Sequence, residues 1–263
     1  MMMPPNKMRN RLSVPVMARL GAVAFFAFCL VGIFAGASAE AQEPTWVTDS
    51  FSGCRSWDPY GNYFTPTSYI WVGGCEGADN SAAGPGVVVM TDSYGVAVVP
   101  QKVTGKDNSD FLAYNENGSI AFESAHYGYP GPGHAGERMI VVSVADPSNC
   151  REFRYRDGET QLVGAFDDRT LHADPLYATA TAIDEEVWTS LAPQKLIAAA
   201  ENSLARGWTF GAALLYIKVI EFHPNSPEAR AAQDGLARIK GEDPRMALLA
   251  QRLHMLVNSG TSL

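Results

Sequence analysis

Apolar positions between Trp46 and about Phe166 come in short runs separated by turn residues: Tyr69-Ile70-Trp71-Val72, Val87-Val88-Val89-Met90 and Val96-Ala97-Val98-Val99. Runs of that length, rich in β-branched and aromatic residues, predict strands. Two hairpins are legible. Residues 111–124 turn at Asn117-Gly118, which tolerate the positive φ of a tight turn. Residues 151–166 turn at Asp157-Gly158, and Arg138 to Val144 adds a strand between them. Many short strands without a helical period predict an antiparallel β domain.

The period changes after about Leu176. Residues 194–206 align Leu196, Ala200 and Leu204, and residues 209–222 align Phe210, Ala213, Leu214, Ile217 and Ile220. Residues 227–240 align Ala229, Ala232, Leu236 and Ile239, and residues 244–258 align Met246, Leu249, Leu253 and Leu256. Each set is one face of a 3.6-residue helix. Ser226 precedes Pro227 and Asp243 precedes Pro244, so two helices open on a capping side chain followed by a first-turn proline. Pro193 and Pro227 lie 34 residues apart, the period of a tetratricopeptide repeat. Ala212, Tyr216 and Pro224 also have the spacing of that repeat's second helix and closing proline. Residues 193–258 therefore resemble about two such units. Ala200 and Ser203 depart from the pattern of the first helix, where Gly and Tyr are common. Two units are too few to stack alone, so their open apolar face is expected to rest on the β domain or on a partner.

The N-terminus supplies an address. Lys7, Arg9, Arg11 and Arg19 precede an apolar run from Leu20, and Ala37-Ser38-Ala39 follows it. A basic flank, an apolar stretch and a small-residue cleavage site make a secretory signal peptide, with an uncleaved anchor as the alternative. No later stretch is long and apolar enough to span a bilayer. Cleavage after Ala39 removes four of the 20 basic residues and none of the 28 acidic ones, leaving a net charge of −12. That balance argues against nucleic acid and against docking on anionic lipid.

Cys54, Cys75 and Cys150 survive cleavage, and in an oxidising compartment two of them should pair. Three pairings are open. Cys150, if left over, is a buried thiol or a link to another chain. Trp71-x-Gly73-x-Cys75 followed by Gly84-Pro85-Gly86-Val87 resembles the degenerate MORN-type hairpin of exported bacterial proteins, with Cys54-Arg55-Ser56-Trp57 upstream. The insertion Asp79-Asn80-Ser81 departs from that pattern. The resemblance covers about residues 52–90 and implies a hairpin scaffold bridged by Cys54 and Cys75. It implies no catalytic residue.

Three stretches offer chemistry. The Gly- and Pro-rich segment 123–138 holds His126, His134 and Glu137, a ligand set that suits zinc, although its spacing fixes no geometry. Trp57, Tyr60, Tyr63 and Trp71 belong to an aromatic cluster whose flat rings stack on sugars when they face solvent. Tyr216, Val219 and Phe222 are placed on the spare face of the helical hairpins, where they would dock a protein. No nucleophile elbow and no Ser-x-x-Lys pair occurs, and no cofactor is implied.

The expectation is an α+β chain: a signal peptide over 1–39, an antiparallel β domain over 40–175 and repeat-like helical hairpins over 176–263. The leading functional reading is a non-enzymatic, periplasmic or secreted scaffold that binds another envelope protein. The alternatives are a cell-wall or polysaccharide-binding module using the aromatic cluster, and a metal-dependent hydrolase using the 123–138 loop.

Overall fold

The computed structural model describes residues 45–58, 65–76, 78–92, 95–104, 107–108, 111–124, 138–156, 159–166 and 168–258. The leader, Tyr60, Tyr63, His126, His134 and Glu137 lie outside these residues, as does nearly all of the proposed metal loop. The architecture is α+β, an antiparallel-dominated sheet followed by helices.

The strands are β1 (Thr45–Thr48), β2 (Arg55–Asp58), β3 (Tyr69–Glu76), β4 (Ser81–Asp92), β5 (Gly95–Thr104), β6 (Asp107–Asn108), β7 (Phe111–Asn115), β8 (Ser119–Glu123), β9 (Arg138–Ser143), β10 (Asp146–Arg156) and β11 (Glu159–Phe166). They form one sheet ordered β1-β2-β4-β5-β7-β8-β9-β10-β11, with β3 also on β4 and β6 also on β5. Among the described residues only β2 and β4 meet in parallel, at Arg55 opposite Ser81. The turn at Asn117-Gly118 joins β7 to β8 as its sequence predicts, with Gly118 at φ 88°.

Strands β3, β4, β5, β7 and β8 carry buried residues on both faces, which explains why they read as continuous apolar runs. Ile70, Val72, Val87, Val89, Val98, Leu112, Ile120 and Phe122 point to the helices and share a core with them. The residues between them, Tyr69, Trp71, Val88, Val99, Phe111 and Ala121, form a second, smaller core with Cys54 on the opposite face.

The second core explains the glycine pattern around Trp71. Gly73 and Gly86 stand opposite each other on β3 and β4. A Cβ at either position would fall on the Trp71 indole, so the two glycines leave the space that the ring fills. Trp71 is 1% exposed, and its Nε1 donates to the Gly74 carbonyl at 2.9 Å. The Asp49 carboxylate sits beside it, fully buried. It accepts from the backbone N–H groups of Phe51 at 3.0 Å, Ser52 at 2.7 Å and Trp71 at 3.2 Å.

This pins the turn after β1 to β3, next to a disulfide between Cys54 and Cys75 whose Cα atoms are 5.6 Å apart. The bridge is the one the hairpin resemblance implies, and it fits an exported protein. Closing a loop of 21 residues stabilises by about 3 kcal/mol through the unfolded chain. The Cys54→Ser/Cys75→Ser double variant is accordingly expected to lose about 3 kcal/mol in urea unfolding. A loss that stays below about 1 kcal/mol would show that Asp49 and Trp71 hold this corner unaided.

Among the described residues six helices follow: α1 (Asp168–His172), α2 (Pro175–Ser190), α3 (Pro193–Ala205), α4 (Thr209–Phe222), α5 (Pro227–Glu242) and α6 (Pro244–Asn258). The expected caps are present. Ser226 Oγ accepts from Ala229 N at 3.2 Å, and the Asp243 carboxylate accepts from Met246 N at 3.2 Å. Asp174 caps α2 through Leu176 N at 2.9 Å and also accepts from Arg138 Nη1 at 2.7 Å. Arg138 Nη2 reaches Glu152 on β10, so one guanidinium ties the start of α2 to β9 and β10. Arg206 Nη1, just after α3, donates to the carbonyls of Thr67 and Tyr69. Among the described residues no helix is long and apolar enough to cross a membrane.

The strand-to-helix boundary near residue 176 does not separate two cores. Strand residues such as Val89, Leu112 and Phe122 belong to the same cluster as Leu176, Trp188, Leu214 and Leu253. The apolar face that two helical hairpins cannot cover for themselves rests on the sheet.

Candidate functional site

Helix α4 is the centre of the helical layer. Every residue from Phe210 to Val219 is buried, so this helix is enclosed on all sides. One of those residues is Lys218, 0% exposed. A cation in that position demands partners, because an unpaired buried charge is too costly to keep.

Three elements supply them. Lys218 Nζ donates to Asp184 Oδ2 on α2 at 2.9 Å and to Tyr114 Oη on β7 at 2.8 Å. The Tyr114 hydroxyl donates in turn to the Asp184 carboxylate, 3.1 Å from both oxygens. Trp188, one turn beyond Asp184, donates its Nε1 to Asp184 Oδ1 at 2.6 Å. The ammonium also lies 4.9 Å from the Tyr114 ring centroid, 5.3 Å from Trp188 and 5.4 Å from Phe222. Aromatic faces attract a desolvated cation, so three rings complete the cage. Burial, and then the charge of Asp184, pushes the Tyr114 hydroxyl well above the usual phenol range, keeping it a neutral donor.

The charge is felt beyond the cage. His254 on α6 and Glu221 on α4 face each other at 3.0 Å, His Nε2 to Glu Oε2. Asn258 Nδ2 lies 3.0 Å from His254 Nδ1, which assigns the acceptor role to Nδ1 and the proton to Nε2. Burial, then the Lys218 cation, lowers His254 to about 4, so the ring is neutral and donates to Glu221. Burial raises Glu221, partly offset by Lys218.

A lysine, an aspartate and a tyrosine in hydrogen-bond contact can move protons in an open site. Here the amine is fully buried and Asp184 is 1% exposed. The cluster joins β7, α2 and α4, and a substrate would reach it only if the layers parted.

Tyr216 and Val219 are 2% and 0% exposed, which corrects the expectation that they form an open docking face. The Tyr216 ring packs on α5 at Gly235, where a Cβ would come within 2.5 Å of Tyr Cζ. Phe222 is half-buried over the Lys218 ammonium. The sequence pattern misleads because α4 carries apolar residues on every side, and a face that looks spare on a helical projection meets the sheet or another helix. Trp71 is likewise corrected: it fills the smaller core and offers no ring to a ligand. The backbone of Trp57 pairs with Trp46 across β1 and β2. Cys150 is buried in the main core and lies outside the disulfide, so it presents no thiol to another chain.

The large apolar side chains that do remain exposed are elsewhere. Among the described residues they are Leu162 and Val163 on the edge strand β11, 58% and 54% exposed, and Leu248 and Met255 on α6, 49% and 41% exposed. Fold and site together define an α+β protein with one helical layer on a two-faced sheet, fastened by an enclosed lysine–aspartate pair. No family model, no curated protein and no solved structure matches the chain.

Proposed function

We propose that the chain is an exported, non-enzymatic protein of the cell envelope that binds another envelope protein. The secretory leader and the disulfide support the exported address. The likeness of residues 193–258 to tetratricopeptide hairpins supports protein binding as the activity. The observation that carries the reading is the pair Leu248 and Met255, left open on the outer face of the last helix while the large apolar side chains of the other described helices are buried or half-buried. An apolar pair in that position marks a contact surface more often than isolated exposed residues do. The docking surface is thus moved from Tyr216 and Val219 to the outside of α6.

The test is affinity isolation of the mature chain from its own envelope, run beside the Leu248→Asp form. Because Leu248 is half exposed, the variant is expected to fold with an unchanged melting curve. Loss of specific companions from that form alone is the expected result. Identical companions for both forms would overturn the reading.

A further inference from the structure

The outer face of α6 has a composition of its own. Arg245, Leu248, Arg252 and Met255 are all exposed. Their spacing of three, four and three residues puts them on one stripe of a helix. At 100° per residue the two arginines line one edge of the stripe, and the leucine and methionine line the other. The opposite face, Ala247, Ala250, Leu253, Leu256 and Val257, is buried in the fold. No aspartate or glutamate occurs in α6, although the mature chain carries 28 acidic residues. The last helix of a stack ordinarily shows a polar outer face to water. This one shows two apolar side chains and two cations.

Charge decides what can lie against it. A second copy docked through the same helix would set arginine beside arginine with no carboxylate on α6 to separate them. An anionic bilayer would attract the stripe but repel the rest of a strongly acidic chain. A helix from another protein that carries apolar residues beside carboxylates satisfies both halves of the stripe. Its apolar side chains cover Leu248 and Met255, and acids one heptad apart match Arg245 and Arg252.

We infer that the outer face of α6 docks an acidic amphipathic helix of a partner protein. This deepens the protein-binding reading above and rests on it. Apolar contact supplies the affinity, and the arginine pair selects acidic helices over basic ones.

The probe is a synthetic amphipathic helical peptide with glutamates at heptad spacing beside a leucine stripe, titrated into the mature chain by fluorescence anisotropy. Its control carries lysine at the glutamate positions. The acidic peptide is expected to bind, and more weakly as salt is raised. The Arg245→Glu/Arg252→Glu form is expected to bind it roughly tenfold or more less tightly, and to gain affinity for the lysine peptide. Leu248→Asp is expected to abolish binding with an unchanged melting curve. Equal binding of both peptides, binding of neither, or an unaltered affinity in the double arginine variant overturns the inference. So does self-association through α6, or a preference for anionic phosphatidylglycerol vesicles. If Leu248→Asp loses its envelope companions while the arginine variant keeps them, protein binding stands and the acidic partner class falls.

Discussion

Asp184→Ala is expected to destabilise the fold by about 3–5 kcal/mol, the cost of removing one member of a buried ion pair. The aspartate receives three donors: Lys218 Nζ, the Tyr114 hydroxyl and Trp188 Nε1. Alanine leaves an indole N–H without its acceptor and a fully buried ammonium held only by a hydroxyl and aromatic faces. At roughly 2–4 °C per kcal/mol for a chain of this size, the melting temperature should fall by about 6–20 °C. Lys218→Met should cost less, because the carboxylate keeps two donors and the methionine refills most of the volume. The Asp184→Leu/Lys218→Met double variant should recover part of the loss, since matched apolar replacement of a buried pair is often close to neutral. The cycle is measured by urea unfolding of the oxidised protein. A loss below about 1 kcal/mol for Asp184→Ala would mean that water reaches the ammonium, and that the cluster is a site and not a fastening.

The same pair marks what the sequence reveals and what it hides. The four helices from Pro193 onward are legible because their caps, prolines and 3.6-residue periods agree, and the hairpin at Asn117-Gly118 is legible from its turn alone. Helix α2 is not, although it is as long as α5. Its buried face runs Leu176, Tyr177, Ala180, Asp184, Val187, Trp188, so a charged residue occupies a core position. The exposed side carries Thr179 and Ala178, so polarity alone does not separate the two faces. Asp184 sits in the core only because Lys218 meets it from α4, 34 residues later. That reason is tertiary and absent from any local window. A signal was nonetheless available: Lys218 stands alone in the apolar run Ala212-Ala213-Leu214-Leu215-Tyr216-Ile217-Lys218-Val219-Ile220, where a lysine needs an explanation. The docking residues failed for the converse reason. Period shows which residues share a face, and only the packing of β4, β5, α5 and α6 around α4 shows that no face of it is spare.

The network also makes stability depend on pH through His254. Its folded value of about 4 lies below the ordinary 6.5, so the unfolded chain takes up the proton first as pH falls. The contribution of the neutral ring is fully present above about pH 6.5 and is lost as pH falls toward about 4. A depression of that size corresponds to about 3 kcal/mol. The physical cause is the confined position of the ring. A charged imidazole between α4 and α6 would lose hydration and face the Lys218 ammonium, and Glu221 across the pair compensates only in part. Glu221 acts with the opposite sign. Its raised value lets the folded state hold a proton that the unfolded chain releases, so its protonation offsets some of the loss as pH falls. The two are separated by comparing the wild-type chain with His254→Gln, urea unfolding being followed from pH 7 to pH 4. The wild type should lose stability over that range by up to about 3 kcal/mol more than the variant. Parallel curves would mean that the proton enters the folded ring freely, and that α6 already stands apart from the buried cation at neutral pH.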